Sequence, residues 1–184
     1  MIRNPFFPVL TAVAILSMCL PSLPAAAEET TPATPAPSAV NMLPAVLHDA
    51  SGKEVETETL REKFVGLYFS AHWCPPCRAF TPSLVKFRDE HADKDFEIVF
   101  VSLDNSKRDK RKYIKQMDMK WLSIPGAQSK EADALAQQFE IRGIPSLIIL
   151  APDGSVVTPH GREDVMMSPE TALSKWKEKA KNPS

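Results

Sequence analysis

Cysteine is scarce in this sequence, which has three cysteines among 184 residues. So few cysteines exclude the disulfide framework that stabilises many small secreted domains. Cys74 and Cys77 are separated by two prolines, and a disulfide closing so short a loop would constrain the unfolded chain very little. Structural zinc takes four ligands, but the chain has no second CxxC and its four histidines are scattered. The pair therefore favours redox chemistry over a structural staple or a metal site.

An excess of charge of either sign is also missing. The chain has 22 Lys and Arg against 23 Asp and Glu, a formal net charge of −1. A protein this close to neutrality gives no electrostatic reason to expect binding to nucleic acid or to an anionic membrane surface.

The longest apolar stretch near the amino terminus, Phe6–Leu20, is shorter than the ~20 residues of a membrane-spanning helix. Arg3 precedes it and Ala25–Ala27 follows it, a pattern typical of a secretory signal peptide over residues 1–27. An uncleaved anchor and a lipoprotein signal ending at Cys19 are the alternatives. We therefore expect an exported, periplasmic protein, with secretion or tethering by an uncleaved amino-terminal segment as further alternatives.

The remaining chain divides into a spacer and one domain. Residues 28–40 are rich in Pro, Ala and Thr, a composition that cannot bury apolar surface and is typical of an extended linker. Residues 41–184 contain no internal repeat and have the length of one domain. Cleavage after Ala27 would leave this mature chain with Cys74 and Cys77 as its only cysteines.

Strands and helices alternate along this domain. Buried strands are predicted over Lys63–Ser70, Phe96–Leu103 and Ser146–Leu150. A turn at Pro152–Gly154 predicts a fourth strand antiparallel to the third. Apolar spacings of three and four predict helices from the cysteines to about His91, around Tyr113–Met117, around Ala132–Phe139 and from Pro169 onward. This order predicts an α/β sheet covered by helices on both faces.

The CxxC pair lies where the first predicted strand gives way to a helix. The first-turn N–H groups of a helix are unpaired and carry partial positive charge, so the pKa of the Cys74 thiol should lie below its free value of ~8.5. Pro75 and Pro76 suit a first turn, where an N–H has no partner within the helix. A three-residue offset brings Cys77 back beside Cys74, close enough to attack a mixed disulfide.

The segment GLYFSAHWCPPCRAFTP, Gly66–Pro82, resembles the active-site segment of the tryparedoxin/nucleoredoxin branch of the thioredoxin superfamily. The similarity continues through VSLDNSKRDKRKYIKQM, KWLSIP, FEIRGIPSLIIL and PDG, and it covers most of Asn41–Lys181. It implies a thioredoxin-like domain with a WCPPC active site. The implied fold is a central mixed β-sheet flanked by helices on both faces.

The resemblance also implies the parts that the site residues play. Cys74 would be the nucleophile and Cys77 the resolving thiol, with Trp73 as a flat flanking surface and Pro75 and Pro76 as neighbours in the motif. Ile144–Pro145 matches the position of the family's cis-proline beside the dithiol. A cis bond there would expose the backbone of Ile144 for pairing with an extended substrate.

Tyr68 occupies the position at which thioredoxin itself carries a buried acid, which leaves the proton acceptor for Cys77 unassigned. Asp104 and Glu140 are candidates, although we expect each of them on the solvated surface.

Three further features have an ordinary and a functional interpretation. We expect His72 to be an exposed loop residue rather than a proton relay. The run Lys107–Lys112 is typical of a solvated helix face, and less so of a docking patch for an acidic partner. Trp121 could border a substrate groove or cover the core, and the sequence does not choose between them.

The sequence thus predicts an exported thiol-disulfide oxidoreductase, specifically a protein-disulfide reductase, cycling Cys74 and Cys77 without a cofactor or metal. Its expected partners are protein thiols and disulfides and an unidentified electron donor such as a membrane thiol reductase. We expect a monomer that binds no nucleic acid. The alternatives are a thiol reductase for cytochrome c maturation and a non-catalytic module holding a soft ion such as Cu(I).

Overall fold

The computed structural model describes residues 38–91 and 95–182. The predicted signal peptide, residues 1–27, lies outside the described residues, as do residues 28–37 of the predicted linker. The last linker residues are part of the fold, because Ala39 and Val40 are buried and the Ala39 N–H donates to the carbonyl oxygen of Pro152 at 3.1 Å. The folded region therefore includes residues ahead of the predicted start at Asn41.

The described ranges contain seven strands and five α-helices. The strands are β1 (Val46–His48), β2 (Glu54–Glu56), β3 (Phe64–Ser70), β4 (Phe96–Ser102), β5 (Leu122–Ser123), β6 (Ser146–Leu150) and β7 (Val156–Thr158). The helices are α1 (Pro75–His91), α2 (Lys107–Gln116), α3 (Lys130–Gln138), α4 (Gly161–Met167) and α5 (Pro169–Lys181). Short 3₁₀ helices cover Ala39–Met42 and Thr57–Leu60. Within the described ranges no helix has the length and apolar character needed to cross a membrane.

All seven strands form one mixed sheet in the order β2-β1-β5-β4-β3-β6-β7. β3 lies between β4, to which it is parallel, and β6, to which it is antiparallel. In register, Leu67 of β3 is opposite Val99 of β4 and Ile148 of β6. Every residue of β3 and β4 is buried, as expected for strands covered on both faces.

Two apolar cores lie on opposite faces of the sheet, because successive strand side chains point to opposite sides. Tyr68 of β3 belongs to the core that receives Phe80 and Leu84 of α1 and Trp176 of α5. Phe69 belongs to the core that receives Leu135 of α3. The predicted mixed sheet with helices on both faces is confirmed, and it places the start of α1 directly after the central strand.

Four elements were not predicted from the sequence: strands β1 and β2, which form a hairpin, strand β5 and helix α4. Each strand among them has two or three residues, too few for a period to be recognised. β2 carries exposed Glu54 and Glu56, and α4 has seven residues with Arg162, Glu163 and Asp164 in its first turn. These elements extend the sheet edge or pack on larger ones, so tertiary contacts rather than local pattern define them.

Candidate redox site

Cys74 immediately precedes α1, and its sulfur is joined to that of Cys77 in a disulfide with the Cα atoms 5.2 Å apart. Pro75 and Pro76, the first two residues of α1, have no backbone N–H. The first N–H of the helix is therefore that of Cys77, and it donates to Sγ of Cys74 at 3.3 Å. Cys74 is 3% exposed and Cys77 is fully buried. The helix start thus directs a hydrogen-bond donor at the more accessible of the two sulfurs.

A cis peptide bond joins Ile144 and Pro145 immediately before β6. The carbonyl oxygen of Ile144 lies 3.7 Å from Sγ of Cys74. Residues 70 positions apart in the sequence are thereby adjacent at the site. The structure brings together the cysteines and the Ile144–Pro145 pair, as the sequence resemblance implied.

The loop ahead of Cys74 is held by the two residues that follow β4. The His72 N–H donates to Oδ1 of Asp104 at 2.7 Å, and the Trp73 indole N–H donates to the carbonyl oxygen of Leu103 at 3.1 Å. The Trp73 side chain is nevertheless 54% exposed. Its ring is therefore a fixed, solvent-facing apolar surface beside the disulfide.

His72 differs from the sequence expectation of an exposed loop residue. Its side chain is half-buried, with Nε2 2.8 Å from Oε1 of Gln116 and its ring edge-on to Tyr113 at 5.9 Å. The packing of α2 against the loop causes this burial, and local sequence contains no sign of such packing. The contacts of the ring are with α2, and in the described structure none is with a sulfur atom.

Asp104 also differs from expectation, because it is fully buried instead of solvated. In addition to the His72 N–H, its carboxylate accepts a hydrogen bond from the Ser102 hydroxyl at 2.9 Å. Burial raises the pKa of Asp104 above its ordinary value. Glu140 is exposed, as predicted. The position of Asp104 directly after a buried strand, where strand ends meet the active-site loop, is the sequence signal that could have identified it.

A closed ring of four buried hydroxyl groups lies behind Cys77. Thr81 contacts Tyr68 at 2.9 Å and Tyr113 at 2.6 Å, and Ser70 contacts both tyrosines at 3.0 Å. The Thr81 hydroxyl also donates to the carbonyl oxygen of Cys77 at 2.8 Å. Burial raises the pKa of Tyr68 far above its ordinary value, so this phenol keeps its proton. We call this set the hydroxyl ring. It includes Tyr68, which stands at the position where thioredoxin itself carries a buried acid.

Two other open questions are answered by burial. Trp121 is 2% exposed and packs edge-on against Tyr68, so it belongs to the core. The run Lys107–Lys112 is a solvated face with one exception, because Lys110 is 5% exposed and donates to the carbonyl oxygen of Ile124. The sequence expectation was wrong for Lys110, since α2 turns this one lysine inward. In the described ranges no three His, Cys, Asp or Glu side chains are grouped as a metal site would require.

A disulfide at a helix start, beside the residue that precedes a cis-proline and on a mixed sheet of this topology, defines a thiol-disulfide oxidoreductase domain. A family model described as thioredoxin-like matches residues 62–156. Tryparedoxin of Trypanosoma brucei brucei is 37% identical over 142 residues, which cover 76% of this chain and 93% of that protein. The chain belongs to the thioredoxin-like family.

Two further similarities agree with this assignment. Mouse nucleoredoxin is 38% identical over 128 residues, 68% of this chain. The crystal structure of a thioredoxin from Wuchereria bancrofti superimposes with a TM-score of 0.63 at 43% identity, covering 74% of this chain and 96% of that one. The chain spans only 29% of the length of the nucleoredoxin that it matches.

Proposed function

We propose that this protein is an exported protein-disulfide reductase that cycles Cys74 and Cys77 between dithiol and disulfide without a bound cofactor. The observation that best supports the proposal is the Cys77 N–H directed at Sγ of Cys74. A hydrogen bond to sulfur and the partial positive charge of a helix start both favour thiolate over thiol. Since Cys74 is also the more accessible cysteine, it is the nucleophile in our proposal.

The proposed reaction has two exchange steps. The Cys74 thiolate attacks one sulfur of a substrate disulfide, which forms a mixed disulfide and releases the other substrate sulfur as a thiolate. The Cys77 thiolate then attacks Sγ of Cys74, which releases the second substrate thiolate and leaves the Cys74–Cys77 disulfide. The substrate gains two electrons and two protons in all, and the protein loses them. Another dithiol must then reduce the protein, for which we propose a membrane thiol reductase.

The surroundings of Cys74 fit an extended polypeptide as the substrate. The backbone of Ile144 lies beside the sulfur and precedes β6, so it can pair with a substrate strand. Trp73, next to Cys74 in the chain, offers exposed apolar surface, with its indole N–H already bonded to the carbonyl oxygen of Leu103. The proposed docking site therefore combines main-chain hydrogen bonds, which tolerate many sequences, with one flat apolar contact.

Export is the part of the proposal that rests on the amino-terminal sequence alone. Residues 1–27 have the charge, apolar stretch and small residues of a cleaved signal peptide. Periplasmic recovery of a protein whose amino-terminal sequence begins at Glu28 would support export. Full-length protein confined to the cytoplasm would contradict it.

The test of the exchange mechanism is a Cys77→Ser variant, in which the resolving step cannot occur. Mixed disulfides between Cys74 and substrate proteins should accumulate and disappear on treatment with a reductant, as seen on non-reducing gels. The matched control is Cys74→Ser, which should trap none. Trapping by Cys74→Ser in place of Cys77→Ser would reverse the proposed roles, and trapping by neither variant would contradict the function.

A second measurement decides the direction of electron flow. Equilibration of the Cys74/Cys77 couple in thiol buffers gives its reduction potential, for which thioredoxin at ~−270 mV and a strong periplasmic oxidant at ~−120 mV are reference points. We expect a value near the first. A value near the second would make the protein a disulfide donor and would contradict the reductase assignment.

A further inference from the structure

A cleft of 760 Å³ lies between α2 and the turn that joins β1 to β2, and none of the redox-site residues lines it. Its lining includes the last residue of β1 and the turn that follows it, residues 48–52, and the last residue of β5 with two residues beyond it, residues 123, 125 and 126. What distinguishes it is the number of cationic side chains in its wall: Lys107, Lys110, Arg111, Lys115 and Lys120. We call it the basic cleft. Its volume is in the range of pockets that hold small molecules.

Lys110 is the buried member of this wall. Its residue is 5% exposed, and among the described residues the carbonyl oxygen of Ile124 is the sole hydrogen-bond acceptor for its Nζ. An ammonium group has three N–H donors, of which this bond uses one; Nζ also lies 6.0 Å from the centre of the Phe100 ring. Burial lowers the pKa of Lys110 to about 8; the negative charge of Asp104 opposes this shift, and the neighbouring charge of Lys107 adds to it. A buried cation with unfilled donors is costly unless an anion compensates it.

Two acidic residues, Asp49 and Asp118, line the cleft against five cationic residues. Oδ1 of Asp49 accepts from the Ser51 N–H, the Ser51 hydroxyl and the Lys53 N–H within its own turn. Asp118 pairs with Lys120 at 3.2 Å. In the described part of the chain, Lys107, Arg111 and Lys115 take part in no ion pair. Among the described residues, three of the five cations of the cleft therefore have no carboxylate partner, and they lie around Lys110, on which the charge of Asp104 acts.

We propose that the basic cleft binds a small molecule through an oxyanion group, phosphate or carboxylate, that sits against the ammonium of Lys110. Arg111 and Lys107 complete the binding site, since a guanidinium donates two parallel hydrogen bonds to either kind of oxyanion. A compact anion can enter a cleft lined by a residue that is 5% exposed, whereas the face of a folded protein cannot. The inference is independent of the proposed redox function, because it uses none of the residues that perform it.

The test is a titration of the full-length oxidised protein with inorganic phosphate and, separately, with citrate, at constant ionic strength set by chloride. The amide resonances of Gly52 and Gly126, which line the cleft, report binding by NMR. We expect saturable shifts with a Kd of about 1 mM or tighter for at least one probe. Tighter binding of phosphate would assign a phosphate ester as the ligand class, and tighter binding of citrate would assign a carboxylate.

Matched variants separate a built site from general attraction to positive charge. Lys110→Met keeps the length and apolar stem of the side chain and should weaken binding about tenfold or more. The double variant Lys107→Gln/Arg111→Gln removes exposed charges and should also weaken it, which keeps the test valid if Lys110→Met does not fold. The control is Arg108→Gln/Lys112→Gln, which removes the same charge from the same helix outside the cleft and should bind as the unmodified protein does.

Two results would overturn the proposal. One is shifts that increase linearly without saturation for both phosphate and citrate. The other is an equal loss of affinity in the Arg108→Gln/Lys112→Gln control and in the cleft variants, which would identify the effect as attraction to the whole helix. Neither result would affect the disulfide-exchange function, whose own test is trapping by Cys77→Ser.

Discussion

Helix α2 contributes to two buried polar regions that differ in kind. Tyr113 belongs to the hydroxyl ring, in which four neutral groups hydrogen-bond to one another and to the Cys77 carbonyl. Lys110 lines the basic cleft, where a charged group has one protein acceptor among the described residues. Neutral hydroxyls can satisfy one another away from water, whereas a buried charge needs a counter-charge or solvent. The ring is therefore complete without a ligand and the cleft is not.

The largest effect that would sharpen this contrast is expected for Lys110→Met. The pKa of Lys110 is about 8 in the folded protein against 10.5 for the unperturbed group, so between these values the unfolded chain binds more protons. Stability should therefore rise with pH through this window, by about 3 kcal/mol in all, and Lys110→Met should lack the rise. Urea unfolding of both proteins from pH 8 to 10.5 measures the difference.

The control for this experiment is Lys112→Met, which replaces an exposed lysine of the same helix. Its stability should follow the pH dependence of the unmodified protein. Parallel pH profiles for the unmodified protein and Lys110→Met would show that Lys110 is not a destabilised cation, and the contrast with the hydroxyl ring would fail.

A somewhat smaller effect is expected for Thr81→Val, which keeps the shape of the side chain and removes the hydroxyl that joins the ring. Tyr68, Tyr113 and the Cys77 carbonyl would each lose a buried partner. We expect the free energy of unfolding to fall by about 2 kcal/mol, measured by urea denaturation of the oxidised protein.

Ser83→Ala provides the comparison, since Ser83 is exposed on the same helix, and its effect should stay within about 0.5 kcal/mol. If Thr81→Val were as mild as Ser83→Ala, the hydroxyl ring would not be the self-sufficient network that distinguishes it from the basic cleft.

The smallest effect is expected for Asp104→Asn, because an amide keeps an oxygen that can accept the His72 N–H. Burial raises the pKa of Asp104, so the folded protein holds this proton more tightly than the unfolded chain does. Stability should therefore fall as pH rises from 3.8, the unperturbed value, through the raised pKa, and Asp104→Asn should not show that fall. Urea midpoints of both proteins, measured at several pH values across this range, give the difference in stability. If the unmodified protein gained stability relative to Asp104→Asn as the pH rose, the raised pKa of Asp104 would be contradicted.

Sequence pattern predicted the elements that are long and buried. β3, β4 and β6 were found because their apolar runs are bounded by charged or turn residues, and β6 has the predicted bounds Ser146–Leu150. The hairpin that includes β1 was missed, although Leu47 is fully buried, because its three residues show no period. The apolar pattern of the central strands is sufficient to predict them, whereas the short edge elements form because of the strands with which they pair.

The site shows the same division. Cys74, Cys77 and the helix that begins after them followed from local spacing and from the prolines between them. The burial of Asp104 and the contact of His72 with Gln116 could not be predicted, because they join residues 32 and 44 positions apart. Lys110 has the same local context as its exposed neighbours on α2. Its burial depends on the carbonyl of Ile124, which follows β5.

By itself, the sequence determined that one cysteine pair stands at the start of a helix after a buried strand, because spacing, proline chemistry and apolar runs act over a few residues. Tertiary structure alone decided which polar groups are removed from water. It places Tyr68 and Thr81 in the hydroxyl ring, Asp104 beneath the active-site loop and Lys110 in the wall of the basic cleft. Desolvation depends on what packs around a group, and the residues that pack here come from distant parts of the chain.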